Sequence, residues 1–541
     1  PMEADEESLK SYVQAILGKV EKSKVCAVNI SYDNLQEIKD CRERGQNIRL
    51  KRRLTNQHRY QVTQLRKGNI SMIEGSEESK RIESKVNTLR AEFMKEVSKI
   101  DTVIGAREHA LANLSTRVEK PLSAFVTFNT VVGVEHAYDK FKDLSYYEWF
   151  KNSFVDPLPL YMGKRMKIKL APEPSTILWE NLPYSKYQGF CRRLLTSLVA
   201  LILICFSVAC TFVAKYFHDT SSSTQQSSGK CPPGWEAFSY QDKASRIIAD
   251  TSLTHCYCAP LSFSDKQDDI LCKEYFIQTI KTQLVTYAAS GFVLGINLGL
   301  GNLLQKFARF EKHHTMDARS LNLFKRLFIL KYVNTSVVFL LNNNERVLSV
   351  FSSLGYAGYA TKEFTSEWYE TLGTAIMVVQ IGGIFTAHAM KFIQYTIYKR
   401  NLHKAKVNPY FAATQGELNK LHVGPDFRFA ENYAQYMSTF FVCMTFSLGM
   451  PLLNWVAFIN FLLAYVVDKS FFINIAASPA RLNFKLTRAV RALVPWAIVL
   501  HMCMSIWTMT NSDVFAAPYS SLQGSSSSVI FDPINYTIKR V

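Results

Sequence analysis

Hydrophobic residues recur in this chain on two scales. In the first third they return every three or four positions: Leu9, Val13, Ile16, Leu17 and Val20 mark one helical face, and Ile82, Val86, Leu89, Phe93, Val97, Ile100 and Ile104 mark another. The second set predicts a long amphipathic helix over about 78–118. "KVCAVNISY" (Lys24–Tyr32) predicts a strand, "SAFVTF" (Ser123–Phe128) alternates as another, and "GVEHAYDKF" from Gly133 opens a further helix. Beyond residue 190 the pattern changes to long apolar runs. Leu194–Ala214 carries no charge and matches the roughly 20 residues that cross a hydrocarbon core. Six weaker runs follow at about 278–304, 322–342, 367–390, 434–451, 453–467 and 490–510, so roughly seven spans are expected; the fifth and sixth read as a hairpin turning at Met450-Pro451. No short apolar stretch near Pro1 resembles a cleaved signal peptide.

Composition makes the two scales explicit. Of 541 residues 48% are hydrophobic, yet the mean hydropathy is only -0.03, so strongly apolar segments are balanced by strongly polar ones. The net charge of +18 is informative through its placement. Lys306, Arg309, Lys312, Arg319, Lys325 and Arg326 lie between the second and third spans. Lys399, Arg400, Lys404 and Lys406 follow the fourth, and Lys469, Arg481, Lys485, Arg488 and Arg491 precede the seventh. That alternation predicts that these loops, with residues 1–190, face the cytosol in the plasma membrane or an organelle membrane. Cys231, Cys256, Cys258 and Cys272 fall in the opposite loop, 217–276, where disulfides persist. A Cys256–Cys258 bridge would be strained, so Cys231 is expected to join one of them and Cys272 the other. Cys26, Cys41, Cys191, Cys205, Cys210, Cys443 and Cys503 read as reduced packing residues.

The predicted fold is mainly α: a polytopic helical membrane bundle with an α+β, RNA-recognition-like cytosolic domain. Its expected parts are the cytosolic domain with its helical arm at 1–170, a pre-membrane strap at 171–192, the bundle at 193–510 and a tail at 511–541. "AFVTF" matches the end of the ribonucleoprotein motif, but Lys120-Pro121-Leu122-Ser123 replaces its glycine and basic start, and Phe125 and Phe128 fall on opposite strand faces. No nucleic-acid partner is therefore expected. The dense basic run Arg42–Leu54 reads as a solvated helix or loop, with anionic headgroup contact as the alternative.

"APEPSTILWENL" (Ala171–Leu182) lies between this domain and the first span. With Ala171, Pro172, Pro174, Ile177, Trp179, Asn181 and Leu182, followed by "CRRLLTSLVALILICF", it resembles the hyperosmolality-gated calcium-permeable (OSCA) channel family, also called calcium-permeable stress-gated cation channels. The likeness extends more weakly to "ARFEKHHTMDARSLNLFKRLFILKYVN" and "VDKSFFIN". Its prolines hold the chain extended, while Pro172, Pro174, Trp179 and Asn181 form a membrane-interface strap, and Arg192 and Arg193 mark the end of the first span. The resemblance implies a mechanosensitive or osmosensitive cation channel with a path inside each protomer, a homodimer, and membrane lipids and permeating cations as partners. It also implies about three membrane helices before the cytosolic domain and one after the seventh span, so Pro1 falls inside the domain's first helix.

Polar residues on successive spans are the pore-lining candidates: Asn297 and Asn302; Asn334, Thr335 and Ser336; Thr374, Gln380 and Thr386; Thr439, Thr445 and Ser447. None is charged. Gly382 and Gly383 sit mid-span, and the resemblance implies a gating hinge there. His388 and Lys391 are placed near the cytosolic mouth, and Asp468 reads as an interfacial residue paired with Lys469. His313 and His314 lack metal-ligand company, and no metal or cofactor is expected. There is no Walker loop, Gly-x-Ser-x-Gly elbow or zinc-spaced His/Glu set, so an enzyme is not expected. No voltage-sensor ladder or potassium filter appears. The alternatives are a lipid scramblase, since the related anoctamins and transmembrane channel-like proteins share the helix arrangement, and a nonconducting structural subunit.

Overall fold

A computed structural model describes residues 6–17, 24–67, 77–114, 120–140, 160–161, 164–165, 169–223, 231–232, 235, 238–250, 253–258, 260–337, 368–408, 411–412 and 414–510. Helix dominates, as the periodicities predict. Helix α1 (Glu6–Leu17) buries Leu9, Val13 and Leu17 against Val25 and Val28 of β1 (Val25–Tyr32). The chain then makes α2 (Leu35–Lys67), α3 (Glu77–Leu114), β2 (Pro121–Phe128) and α4 (Val131–Lys140), whose Ala137 completes that small core. β1 and β2 are antiparallel, with Val28 opposite Val126 and Ile30 opposite Ala124. A second ladder, β3 (Leu160–Tyr161) with β4 (Lys164–Arg165), is minimal. Among the described residues the main sheet has two strands, so the full sheet of an RNA-recognition fold is not present there. Phe128 packs against the core and Phe125 meets Trp179 edge-on at 5.5 Å, so both candidate stacking rings are engaged within the protein.

The basic run Arg42–Leu54 lies on α2, which pairs with α3. Lys51 meets Asp101 at 2.6 Å and Arg44 meets Glu108 at 3.0 Å, while Arg107 reaches back to Asp40 at 3.1 Å and Glu43 at 2.5 Å. Such exposed pairs contribute about 0–1 kcal/mol each, so they fix the register of the arm more than its stability.

After the strap comes α5 (Lys186–Ser223), then α6 (Tyr240–Ala249), α7 (Thr254–Cys258) and α8 (Phe263–Asp268). The disulfides are Cys231–Cys256 and Cys258–Cys272, with Cα separations of 5.7 and 5.6 Å, which settles the pairing the sequence left open. Helix α9 (Lys273–Phe310) extends about 57 Å, placing Cys272 at one end and Lys306 near the other. There follow α10 (Met316–Tyr332) with a π-helical turn at Val333–Val337, a second π-helical turn at Tyr369–Gly373 leading into α11 (Thr374–Val407), and α12 (Gln415–Val423), α13 (Phe429–Phe446), α14 (Leu452–Asn474) and α15 (Lys485–Thr510). α13 and α14 form the expected hairpin, turning through residues 447–451.

Among the described residues, four helices are long and apolar enough to cross a membrane: Lys186–Cys210 of α5, then α11, α14 and α15. The other three expected spans coincide with α9, α10 and α13, which fall outside that set. For α10 and α13 the packing supplies the reason. α13 is the buried centre, packed by α10, α14 and α15, and its Ser438, Thr439 and Thr445 are buried; α10 carries Arg319, Lys325, Arg326 and Lys331. The outer helices are apolar outside: Leu198, Leu201 and Ile202 on α5, Phe385 and Phe392 on α11, Phe458, Leu462 and Leu463 on α14, and Trp496 and Val499 on α15 are all exposed. An uncharged apolar exterior over a partly polar interior suits lipid as the solvent.

At one end of the bundle the loops touch. Ala477 N donates to Pro425 O at 3.0 Å and Asn483 N to Asp317 Oδ1 at 3.1 Å. Gly424, at φ +87°, lets this happen, since a Cβ there would lie 2.0 Å from Ile475 O. The three basic clusters thus gather toward one end. The free cysteines correct an expectation: only Cys443 is buried, Cys210 is intermediate, and Cys26, Cys41, Cys191, Cys205 and Cys503 are exposed. The tail at 511–541 lies outside the described residues.

Candidate functional site

The strap is a clamp. Its prolines set an extended entry, and two short 3₁₀ turns, Pro174–Thr176 and Trp179–Asn181, redirect the chain. Leu178 N donates to His314 O at 2.9 Å, Asn181 Nδ2 to His313 O at 2.8 Å, and Ile177 forms a β-bridge with Thr315. His314 Nε2 answers with a bond to Tyr184 O at 3.0 Å. Its other face holds the soluble domain: Trp179 meets Phe125 edge-on, and Glu180 pairs with Arg42. Trp179 and Asn181, expected at a membrane interface, therefore make protein–protein contacts, while Pro172 and Pro174 shape the entry. Arg192 caps the seam, with its guanidinium 4.6 Å from the Tyr184 ring centroid and its Nη1 donating to Phe310 O at 3.2 Å.

Behind the clamp lies Glu311, fully buried. Its carboxylate accepts from Thr196 Oγ1 at 2.5 Å on α5, from His313 Nε2 at 2.8 Å and from Asn322 Nδ2 at 2.5 Å on α10, and it pairs with Arg326. Burial pushes this carboxyl up, but the hydrogen bonds from His313 and Thr196 and the charge of Arg326 together hold it below the usual carboxylate range. One side chain thus ties α5, the 311–315 turn and α10 together. Arg193, expected to mark a span end, contributes its carbonyl to Arg326 Nη2 at 3.3 Å.

Above this joint a cavity of about 230 Å³ opens among the helices. α9 supplies Asn302 and Gln305, α10 supplies Lys331, α11 supplies Thr386, Lys391 and Gln394, and α13 supplies Glu431, Asn432 and Gln435. Asp426 and Arg428 come from the loop before α13, and Phe471 from α14. Lys331 Nζ donates to Gln435 Oε1, and Arg428 meets Glu431 at 3.3 Å. Lys391 pairs with Asp468 and donates to Tyr436 OH at 3.1 Å, while the Tyr436 hydroxyl donates to Asp468. Asp468 is therefore bonded across three helices; Lys469, the partner expected from sequence, donates instead to Tyr465 OH at 3.1 Å.

Of the polar residues singled out from sequence, Asn302 and Thr386 reach this cavity, the former at its exposed rim. Asn297 has its side chain outside the described residues. Asn334, Thr335 and Ser336 are buried in the π-helical turn after α10, and Gln380 and Thr439 are buried between helices. Thr445 bonds Tyr332 OH at 3.1 Å, Ser447 bonds His501 at 3.2 Å, and Thr374 bonds Tyr369 O at 3.0 Å. Gly382 and Gly383 lie in unbroken α11, and a Cβ on Gly383 would come within 3.2 Å of Gln435 Nε2. That close approach makes Gly383 a packing position in this conformation.

Of the charged lining, Lys391 was placed near the cytosolic mouth from sequence, whereas Lys331 falls inside the expected span at 322–342 and Asp426, Arg428 and Glu431 lie just before the one at 434–451, so these four were not singled out. The signal was present in "FILKYVN", where a lysine interrupts an apolar run. At the far end, His255 lies beside Cys231 and Cys256, but those sulfurs are joined to each other, which leaves no metal-ligand set there. The chain matches no protein family and no curated protein.

Proposed function

We propose that this chain is the pore-bearing part of a cation channel that responds to membrane tension or osmotic stress, with the ion path inside one protomer and about seven membrane spans, the cytosol facing residues 1–190. The observation that carries it is the cavity between α9, α10, α11 and α13, where amides, hydroxyls and partly compensated charges face one another inside helices whose outsides are apolar. Such groups are costly to bury in lipid and are retained where ions or water pass. The OSCA resemblance of the strap supports the same reading, and the strap's contacts give a physical link between the soluble domain and α10. Tension would act by favouring whichever state occupies more membrane area.

Asn302, exposed at the rim of this cavity, favours a second reading, in which the cavity opens sideways and passes lipid headgroups as a scramblase does. Reconstitution separates them. The full chain in liposomes is assayed by pressure-clamp recording and by dithionite quenching of labelled lipid, with Gln435→Leu as the site variant. Stretch-evoked cation currents that Gln435→Leu diminishes, without lipid redistribution, support the channel. Lipid redistribution without current supports the scramblase, and neither activity refutes both.

A further inference from the structure

Asn460 stands out among the buried polar side chains. It is fully buried on α14, and neither its amide oxygen nor its amide nitrogen has a hydrogen-bond partner. Its helix explains why the residue points inward. Leu453, Val456, Ala457, Asn460, Ala464 and Phe471 recur at helical spacing and are buried, while Phe458, Ile459, Leu462 and Leu463 between them are exposed. A polar group on the lipid face could not be satisfied; on the inner face it can be, but no atom among the described residues does so.

Depth follows from the ion pair. α14 and α11 run in the same direction, because Trp368 and Ile376 share a core with Leu453 and Ala457 while Lys391 meets Asp468 further along both. Eight residues back from Asp468 is Asn460, and eight back from Lys391 is Gly383, each about 12 Å toward the disulfide end. Asn460 and the glycine pair therefore stand at one level, where α11 presents no side chain at Gly382 or Gly383. Among the described residues of the bundle, other buried polar atoms without partners include both ring nitrogens of His388, one turn from Lys391, Ser336 Oγ in the π-helical turn at the far end of α10, Ser505 Oγ on α15 and Asp317 Oδ2 at the start of α10. Partnerless polar atoms thus occur at several depths of one bundle. A single isolated amide would mark a local packing cost; a series from cavity to far end traces a route.

Resting on the conduction reading above, we propose that Asn460 is the mid-membrane ligand of the permeation path, its amide oxygen replacing part of the water shell of a passing cation where the path leaves the cavity. The position determines specificity: a neutral oxygen passes monovalent and divalent cations alike, whereas a carboxylate there favours divalent ions.

The test uses the full chain in liposomes. Asn460→Leu, close in volume but apolar, is expected to lower unitary conductance about tenfold, the loss of one charge-assisted contact to the passing ion. Its tension threshold and elution profile should be unchanged. Asn460→Asp is expected to move the reversal potential toward calcium, and Asn460→Ala provides a smaller variant if leucine disturbs folding. Conductance and selectivity unchanged in both the leucine and aspartate variants would overturn the assignment while leaving the channel reading intact. If the wild-type chain carries no current, that reading fails instead, and Asn460→Cys still decides whether the position is hydrated. Modification by methanethiosulfonate ethylammonium supports a wet route, and protection overturns it.

Discussion

Replacing Glu311 should loosen the joint between α5, α10 and the clamp more than any other single change at that end. The side chain is fully buried and accepts from Thr196, His313 and Asn322 besides pairing with Arg326, whose side chain is 16% exposed. Removing one partner of a buried ion pair costs about 3–5 kcal/mol, because the other charge stays behind uncompensated. Arg326 keeps bonds to Ser197 Oγ at 2.9 Å and Arg193 O at 3.3 Å, so the lower part of that range applies. We expect about 3 kcal/mol for Glu311→Ala and about 2 kcal/mol for Glu311→Gln, which retains one acceptor. The assay is reversible unfolding in mixed micelles, with Arg326→Ala and the double variant completing a cycle whose coupling should be about 2 kcal/mol. The pH dependence has a definite sign. Because the folded carboxyl is held below its ordinary value, its stabilisation is present above the usual carboxylate range and is lost as pH falls through the folded value. The gap between wild type and Glu311→Gln should therefore be full at neutral pH and shrink in acid. A cost below about 1 kcal/mol for Glu311→Ala, or strict additivity with Arg326→Ala, would refute the joint as described.

Three further outcomes follow from other parts of the molecule. Cys258→Ala with Cys272→Ala opens a bridge of sequence separation 14 and should cost about 3 kcal/mol, read as a lower melting temperature that matches the effect of reductant on that bridge. Gly424→Ala combines φ +87° with a Cβ 2.0 Å from Ile475 O, so it should destabilise by more than about 2 kcal/mol and expose the 475–484 loop to protease, whereas Gly383→Ala meets only the end of a flexible glutamine and should be mild. Burial, then the bond to Asp269, pushes the Tyr257 hydroxyl from 10.0 up to about 12; its stabilisation is complete below 10.0 and is lost as pH rises toward 12, a loss that ultraviolet titration should find absent in Tyr257→Phe.

How far the molecule can be read from its sequence differs by region. Helix faces, both principal strands and the hairpin at residues 447–451 follow from local periodicity, because burial on one side of a helix or strand imprints itself on nearby positions. Cysteine spacing narrowed the disulfides to two arrangements; only the fold of the loop brought Cys231 to Cys256. The strap was visible as two prolines and a tryptophan, but its partners Phe125, Arg42 and the 311–315 turn are far away in sequence, so its role as a clamp was not.

The sequence by itself determined that long apolar stretches alternate with basic loops, since hydropathy and charge are properties of consecutive residues. Which polar side chains face one another was decided by tertiary structure alone. Lys331 with Gln435, Lys391 with Asp468, and Glu311 with Arg326 meet because helices pack at chosen rotations, and rotation is set by the sum of many side-chain fits rather than by any local pattern. For the same reason Asn460, one more asparagine in an apolar run, became distinct only when its helix was placed with that face inward.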